Sequence, residues 1–180
     1  SEVNKAISSD PKNNQAEELL GNIYQIQGDL SSALKIYEQM ISWEDSSSQE
    51  TGRICRSTLR LMQGTYAQLK NEIDEGYEFS YRVGRKMGQF EFRLLSAYLN
   101  LVTHQFSPAL EASHQAMELA NETDFWYLKL LSTHIQGLIY ARMKNFDEAL
   151  KTAQKLKSLV DEDGARKFMR HYDHLRGEIE

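Results

Sequence analysis

Proline and cysteine are almost missing from this chain of 180 residues, and each scarcity restricts what it can be. Only Pro11 and Pro108 interrupt it, so long stretches are free to be helical, because proline breaks a helix interior. The single cysteine, Cys55, excludes an internal disulfide and suits a reducing compartment, so a cytoplasmic location is expected. No run of about 18 apolar residues exists to suggest a membrane span. Positive charge is not in excess: the formal net charge of −5 argues against general nucleic-acid binding, which needs Lys and Arg against phosphate. Phosphate loops, glycine-rich nucleotide turns and Ser/His/Asp groupings are all missing, so the chain reads as a non-enzyme with no cofactor.

What is present is a motif that returns at a fixed interval. Gly21-Asn22-Ile23-Tyr24, Gly28-Asp29-Leu30, Ala33-Leu34 and Tyr37 are answered by Gly137-Leu138-Ile139-Tyr140, Asn145-Phe146-Asp147 and Ala149-Leu150. Between them stand Ala97, Gln105-Phe106 and Ala109-Leu110. The small residues Ser57, Ala97, Gly137 and Gly177 follow one another at 40 residues, and only the step from Gly21 to Ser57 is shorter, at 36. Such self-similarity signals an all-α solenoid of stacked helical hairpins.

One unit explains itself physically. Leu19, Leu20, Ile23, Tyr24 and Ile26 have amphipathic helical spacing, Gly28-Asp29 offers a turn, and Ser31 or Ser32 can cap the next helix. Ala33, Leu34, Tyr37, Met40 and Ile41 then carry the second apolar face. Gly21 and Ala33 are small where two antiparallel helices would cross closely. In the later units Thr123 or Asp124 can start a long helix reaching about Met143, and Ser46-Ser47-Ser48 with Glu50 reads as another helix cap.

The pattern Leu20-Gly21…Tyr24…Gly28-Asp29…Ala33…Tyr37, with Gly137…Tyr140…Asn145-Phe146-Asp147…Ala149, resembles the tetratricopeptide repeat family over essentially the whole chain. Thr51–Met87 is its poorest part. Ala6-Ile7…Asp10-Pro11 fits the end of a preceding repeat. The resemblance implies a right-handed superhelix and a protein-binding groove. The family unit is about 34 residues, whereas the later units here are 40, similar to the sensor arrays of some bacterial regulators. The expected division is residues 1–13 as the end of one repeat, then 14–49, 50–89, 90–129 and 130–169, then 170–180 opening another. Turns are expected near Gly28, Gly64, Gln105 and Asn145. A chain that opens inside one helix and stops inside another reads as a fragment of a longer array.

Where the family packs apolar residues on the first helix, the middle units carry Arg53, Arg56 and Arg60, then Arg93, Ser96 and Asn100. An apolar column compensates: Leu95, Ile135 and Leu175 are 40 apart, as are Leu99, Ile139 and Ile179, with Cys55 and Leu59 one step before. These columns are expected in the core, and the three arginines outside it.

Candidate sites are few. His171 and His174 share one side of a helix with Asp173 between them, but no recognised third ligand completes a metal site. His104, His114 and His134 are scattered and read as structural, and Cys55 reads as a small apolar residue. Phe90, Phe92, Phe125, Trp126 and Tyr127 read first as packing between repeats and second as partner anchors. The arginine row is the best lead. Arg53, Arg56 and Arg60 have helical spacing, and Arg93 lies 40 beyond Arg53. The bland reading is local pairing with carboxylates such as Glu50 or Glu91; the sharper one is a basic strip forming bidentate bonds to an acidic segment. Asn22 and Asn100 complete the candidate partner-binding set. The family's clamp for acidic chaperone tails needs Lys one turn before Asn, and Glu18 before Asn22 has the wrong charge for it. The leading expectation is therefore a scaffold holding a protein or peptide on a concave surface. The alternatives are a sensor array controlling an attached effector domain, or a self-associating structural array.

Overall fold

The computed structural model describes residues 13–123, 125–162 and 166–180, and every element among them is helical. In order they are α1 (Asn14–Ile26), α2 (Leu30–Ile41), α3 (Ser46–Met62), α4 (Tyr66–Arg82), α5 (Lys86–Val102), α6 (Phe106–Asn121), α7 (Trp126–Arg142) and α8 (Phe146–Glu162). A 3-10 turn (Arg166–Phe168) then leads into α9 (Met169–Ile179). The segment Ala6–Pro11 and the candidate cap Asp124 lie outside the described residues. The chain forms two compact units, residues 1–92 and 93–180, and the division falls within α5.

The turns share one chemistry. Helices α1, α3, α4, α5 and α7 each end in a residue of positive φ: Gly28 (80°), Gly64 (72°), Gly84 (72°), His104 (60°) and Lys144 (59°). The next N–H then reaches back five residues to a carbonyl: Asp29 to Tyr24, Thr65 to Arg60, Arg85 to Ser80, Gln105 to Asn100 and Asn145 to Tyr140. This is the Schellman arrangement, which satisfies carbonyls left open at a helix C-terminus. The turn at Gly84 is additional to the expected four. It moves the start of a first helix to Lys86, so boundaries at 50, 90 and 130 fall one turn inside α3, α5 and α7.

Helix starts also differ in detail from the serine caps expected. Asp29 Oδ1 accepts from Ser32 N at 3.1 Å, so Gly28-Asp29 divides into the end of α1 and the cap of α2. At α3 the cap is Asp45, accepting from Ser47 N and Ser48 N, with the Ser48 hydroxyl also bonded to it. A carboxylate outranks serine here because it adds full negative charge at the positive end of the helix dipole. At α7 the N-cap is Phe125, which makes no side-chain cap bond; the Thr123 hydroxyl donates to Ala120 O.

In the first unit Ala33, Tyr37, Met40, Trp43 and Leu59 form one core, against which Tyr24, Leu34 and Cys55 pack. Gly21 is small because the Tyr37 ring occupies the space of its missing Cβ, a different partner from the Ala33 expected. The Tyr37 hydroxyl, brought inside by that fit, donates to Asn22 Oδ1 at 2.9 Å. Leu69 and Ile73 of α4, with Phe90 and Phe92 of α5, extend the buried set.

The second unit is built around α7, which packs against α6, α8 and α9 and is buried on several faces. Its neighbours present small residues: Ala109, Ala112, Ala116 and Ala120 on α6, Ala149 and Ala153 on α8. Gly137 of α7 faces Leu175 of α9, whose side chain fills the space a Cβ would need. The apolar columns lie inside as expected, with Leu95, Leu99, Ile135, Ile139 and Leu175 buried, while Ile179 is half-buried. Burying a Leu or Ile side chain fully contributes about 1.5–3 kcal/mol, so the columns hold each unit together.

Candidate partner-binding face

Helices α3 and α4 place the arginine row. On α3 the spacing of Arg53, Arg56 and Arg60 sets all three along the flank nearest α4, and all are half-buried. Helix α4 answers with Glu72 and Glu75. The Arg60 guanidinium is hydrogen-bonded to Glu72 Oε1, and Arg56 Nε stands 3.4 Å from Glu72 Oε2. At the Arg56 contact the geometry is that of a close ion pair without a hydrogen bond, since neither atom has a bonding partner. Two of the three arginines thus share one carboxylate, so for them the structure follows the local-pairing reading rather than the open strip. Position decides it: the partner is Glu72 rather than Glu50 or Glu91, because nothing in the sequence says which residue of the next helix lies opposite.

Arg53 differs. Its guanidinium lies over the Phe79 ring, 5.1 Å from the centroid, and its buried Nε has no hydrogen-bond partner. Burial first, then the neighbouring Arg56, pull its pKa below the ordinary arginine value. Partial desolvation without a bonded anion is costly to a cation, whereas any carboxylate brought to it would gain from the same low dielectric. Around it Asp74, Glu75, Glu78, Phe79 and Arg82 complete an open groove of about 450 Å³. Phe79 is half-buried, whereas Asp74, Glu75, Glu78 and Arg82 are exposed. The groove therefore has a cationic and aromatic floor beneath a largely acidic rim. A larger hollow at the α3–α4 turn is lined by Gln63, Gly64, Thr65, Tyr66, Ala67 and Gln68, and its one charged residue, Arg60, is already paired.

The other candidates are dispersed. Asn22 is engaged by Tyr37 inside the α1–α2 hairpin. Arg93 and Asn100 belong to the second unit, where Asn100 is half-buried and its Nδ2 donates weakly to Ser96 Oγ at 3.4 Å. Of the aromatic residues, Phe90 and Phe92 are core; Phe125 is exposed, and Trp126 and Tyr127 pack edge-on or tilted against Phe168. Cys55 is half-buried, and burial pushes its thiol up to about 12, so it carries no thiolate at neutral pH.

Two groupings were not legible as such. Glu50 is almost wholly buried and is held by Arg85 Nε at 2.6 Å, while Glu91 nearby is pushed up to about 7, by burial first and Glu50 second. His134 meets both His171 and His174, with its Nε2 3.1 Å from His174 Nδ1. The signal was available: positions 134 and 174 are 40 apart, the spacing of the apolar columns. Among the described residues no group of three or more His, Cys, Asp or Glu is arranged to hold a metal ion, and no helix is long and apolar enough to cross a membrane. Compared with protein-family models, curated proteins and solved structures, the chain shows no significant match to any of them.

Proposed function

We propose that this chain is a protein-interaction module, a solenoid of tetratricopeptide type, whose α3–α4 groove holds an extended segment of a partner protein. The observation that carries the reading is Arg53, a half-buried guanidinium on an aromatic ring with an unpartnered Nε. The helical hairpins with recurring turns support the repeat reading. Rim charge narrows the partner. A uniformly acidic segment would meet Asp74, Glu75 and Glu78, so the occupant that fits has one carboxylate for Arg53 between basic residues that face the rim.

Fluorescence anisotropy with labelled peptides tests this. A peptide of the form Lys-x-Asp-x-Lys should bind, weaken as salt rises, and lose at least tenfold in affinity when its Asp becomes Asn. Arg53→Glu should lose binding while the helical circular dichroism and thermal midpoint stay close to wild type. Equal binding by Arg53→Glu, or tighter binding of an all-acidic peptide, would refute the proposed groove.

A further inference from the structure

We propose that His134, His171 and His174 form an acid-sensitive latch that holds α9 against α7 at neutral pH and releases it on acidification. The three rings come from two helices and form one contact set. His134 and His171 meet edge-on with centroids 4.8 Å apart, and His134 and His174 are tilted at 5.2 Å. The bond between His134 Nε2 and His174 Nδ1, at 3.1 Å, needs one nitrogen to donate and the other to accept. One proton can sit along that bond. A second cannot, because it leaves two N–H groups facing each other.

His174 is exposed and can carry a proton on Nε2, but the surroundings of His134 and His171 offer added positive charge no place. His134 is 4% exposed, and its other nitrogen, Nδ1, has no partner; His171 Nε2 is likewise buried and unpartnered. On α9, Arg170 bears on His171, and at the preceding turn Lys167 lies over the Phe168 ring, which stacks on His171. The nearest carboxylate, Glu178, already binds Arg142 of α7 at 2.8 Å and stands 4.0 Å from His174 Nε2. Asp173 is exposed. The α6–α7 contact at this level is neutral, Gln136 Nε2 to the Ser113 carbonyl, and among the described residues of α6 and α8 no carboxylate pairs with His134. Burial first, then the two other imidazoles, pull His134 down to about 3 from an ordinary 6.5.

Opening α9 returns His134 to water, so the open form takes up a proton that the closed form refuses. With pKa values of about 3 closed and 6.5 open, the opening constant at pH 5.0 rises by at most about 30-fold over its neutral value. What becomes exposed is apolar: Leu175, fully buried against Gly137, and the Phe168 face against Trp126 and Tyr127.

Hydrogen exchange on the full chain, with EDTA present throughout, decides the matter. Protection factors of α9 amides should fall by about 10- to 30-fold between pH 7.5 and 5.0, while those of α2 and α3 do not fall with them. His134→Gln should flatten that dependence. If His134→Gln leaves α9 unprotected even at pH 7.5, the double variant His171→Gln/His174→Gln supplies the same readout from the less buried side. Protection of α9 that is independent of pH in the wild type would overturn the latch. So would an unchanged pH dependence in a folded variant, or one that appears only when EDTA is replaced by zinc.

Discussion

At the scale of single residues, the arginine row separates into groups that hold the fold and one that does not. Glu72 is 14% exposed and serves Arg56 and Arg60 together. Glu72→Gln removes the charge and strands two half-buried cations, so it should cost about 1–2 kcal/mol, read as a lower urea midpoint with unchanged slope. Arg53→Gln should stay within about 0.5 kcal/mol of wild type. It loses a contact with Phe79, worth about 0.5–1 kcal/mol, and the attraction of Glu75 and Glu72, but relieves desolvation and the repulsion of Arg56 and Arg82. The opposite order of costs would mean that Arg53 is structural and the groove reading is wrong. From sequence the four arginines looked alike, because helical spacing assigns a face and says nothing of what the neighbouring helix brings to it.

At the scale of elements, the turns form an internal series. Five helices end in the same backbone arrangement, three with glycine at the positive-φ position and two with His104 or Lys144. A residue with a Cβ pays conformational energy there that glycine does not. Lys144→Gly should therefore stabilise the second unit by about 0.5–1 kcal/mol despite the greater freedom of the unfolded chain, and Gly64→Ala should destabilise the first by about 1 kcal/mol. Thermal midpoints moving in opposite directions would confirm both, and a loss in Lys144→Gly would refute the argument. Helix existence was readable from the apolar spacing and from Gly28 and Gly64. The turn at Gly84 was not, because Val83 and Arg85 flank it with no companion turn residue, so the register ran one turn late. Gly28-Asp29 looked like a single turn, yet its two residues do different work on either side of a helix boundary.

At the scale of the whole molecule, the two units carry buried ionisable groups of opposite sign response. In residues 1–92 the carboxyl of Glu91 is raised from 4.5 to about 7, and that of Glu17 is raised as well by burial. Below pH 4.5 the Glu91 group is protonated both folded and unfolded, so its burial carries no charge penalty. Between 4.5 and about 7 the unfolded chain gives up a proton that burial beside Glu50 makes the folded one keep, so stability is lost as pH rises. In residues 93–180 His134 is neutral in both states above 6.5 and costs nothing. Between 6.5 and about 3 the unfolded chain takes a proton that the folded one refuses, so stability falls with acid. Lowering the pH from 7 to 5 should thus strengthen the first unit and weaken the second, each by on the order of 1–2 kcal/mol. The sequence hinted at depth only indirectly, by Phe90 and Phe92 on either side of Glu91 and by the 40-residue spacing of His134 and His174, and neither shows which charges lie nearby. Hydrogen exchange resolved by helix measures it directly: the most protected amides of α2 and α3 should slow, corrected for intrinsic rates, while those of α7 and α8 quicken. Glu91→Gln should remove the first trend alone, and His134→Gln the second alone. If both units weaken together as acid is added, or if either substitution abolishes both trends, the opposed responses do not belong to these two groups.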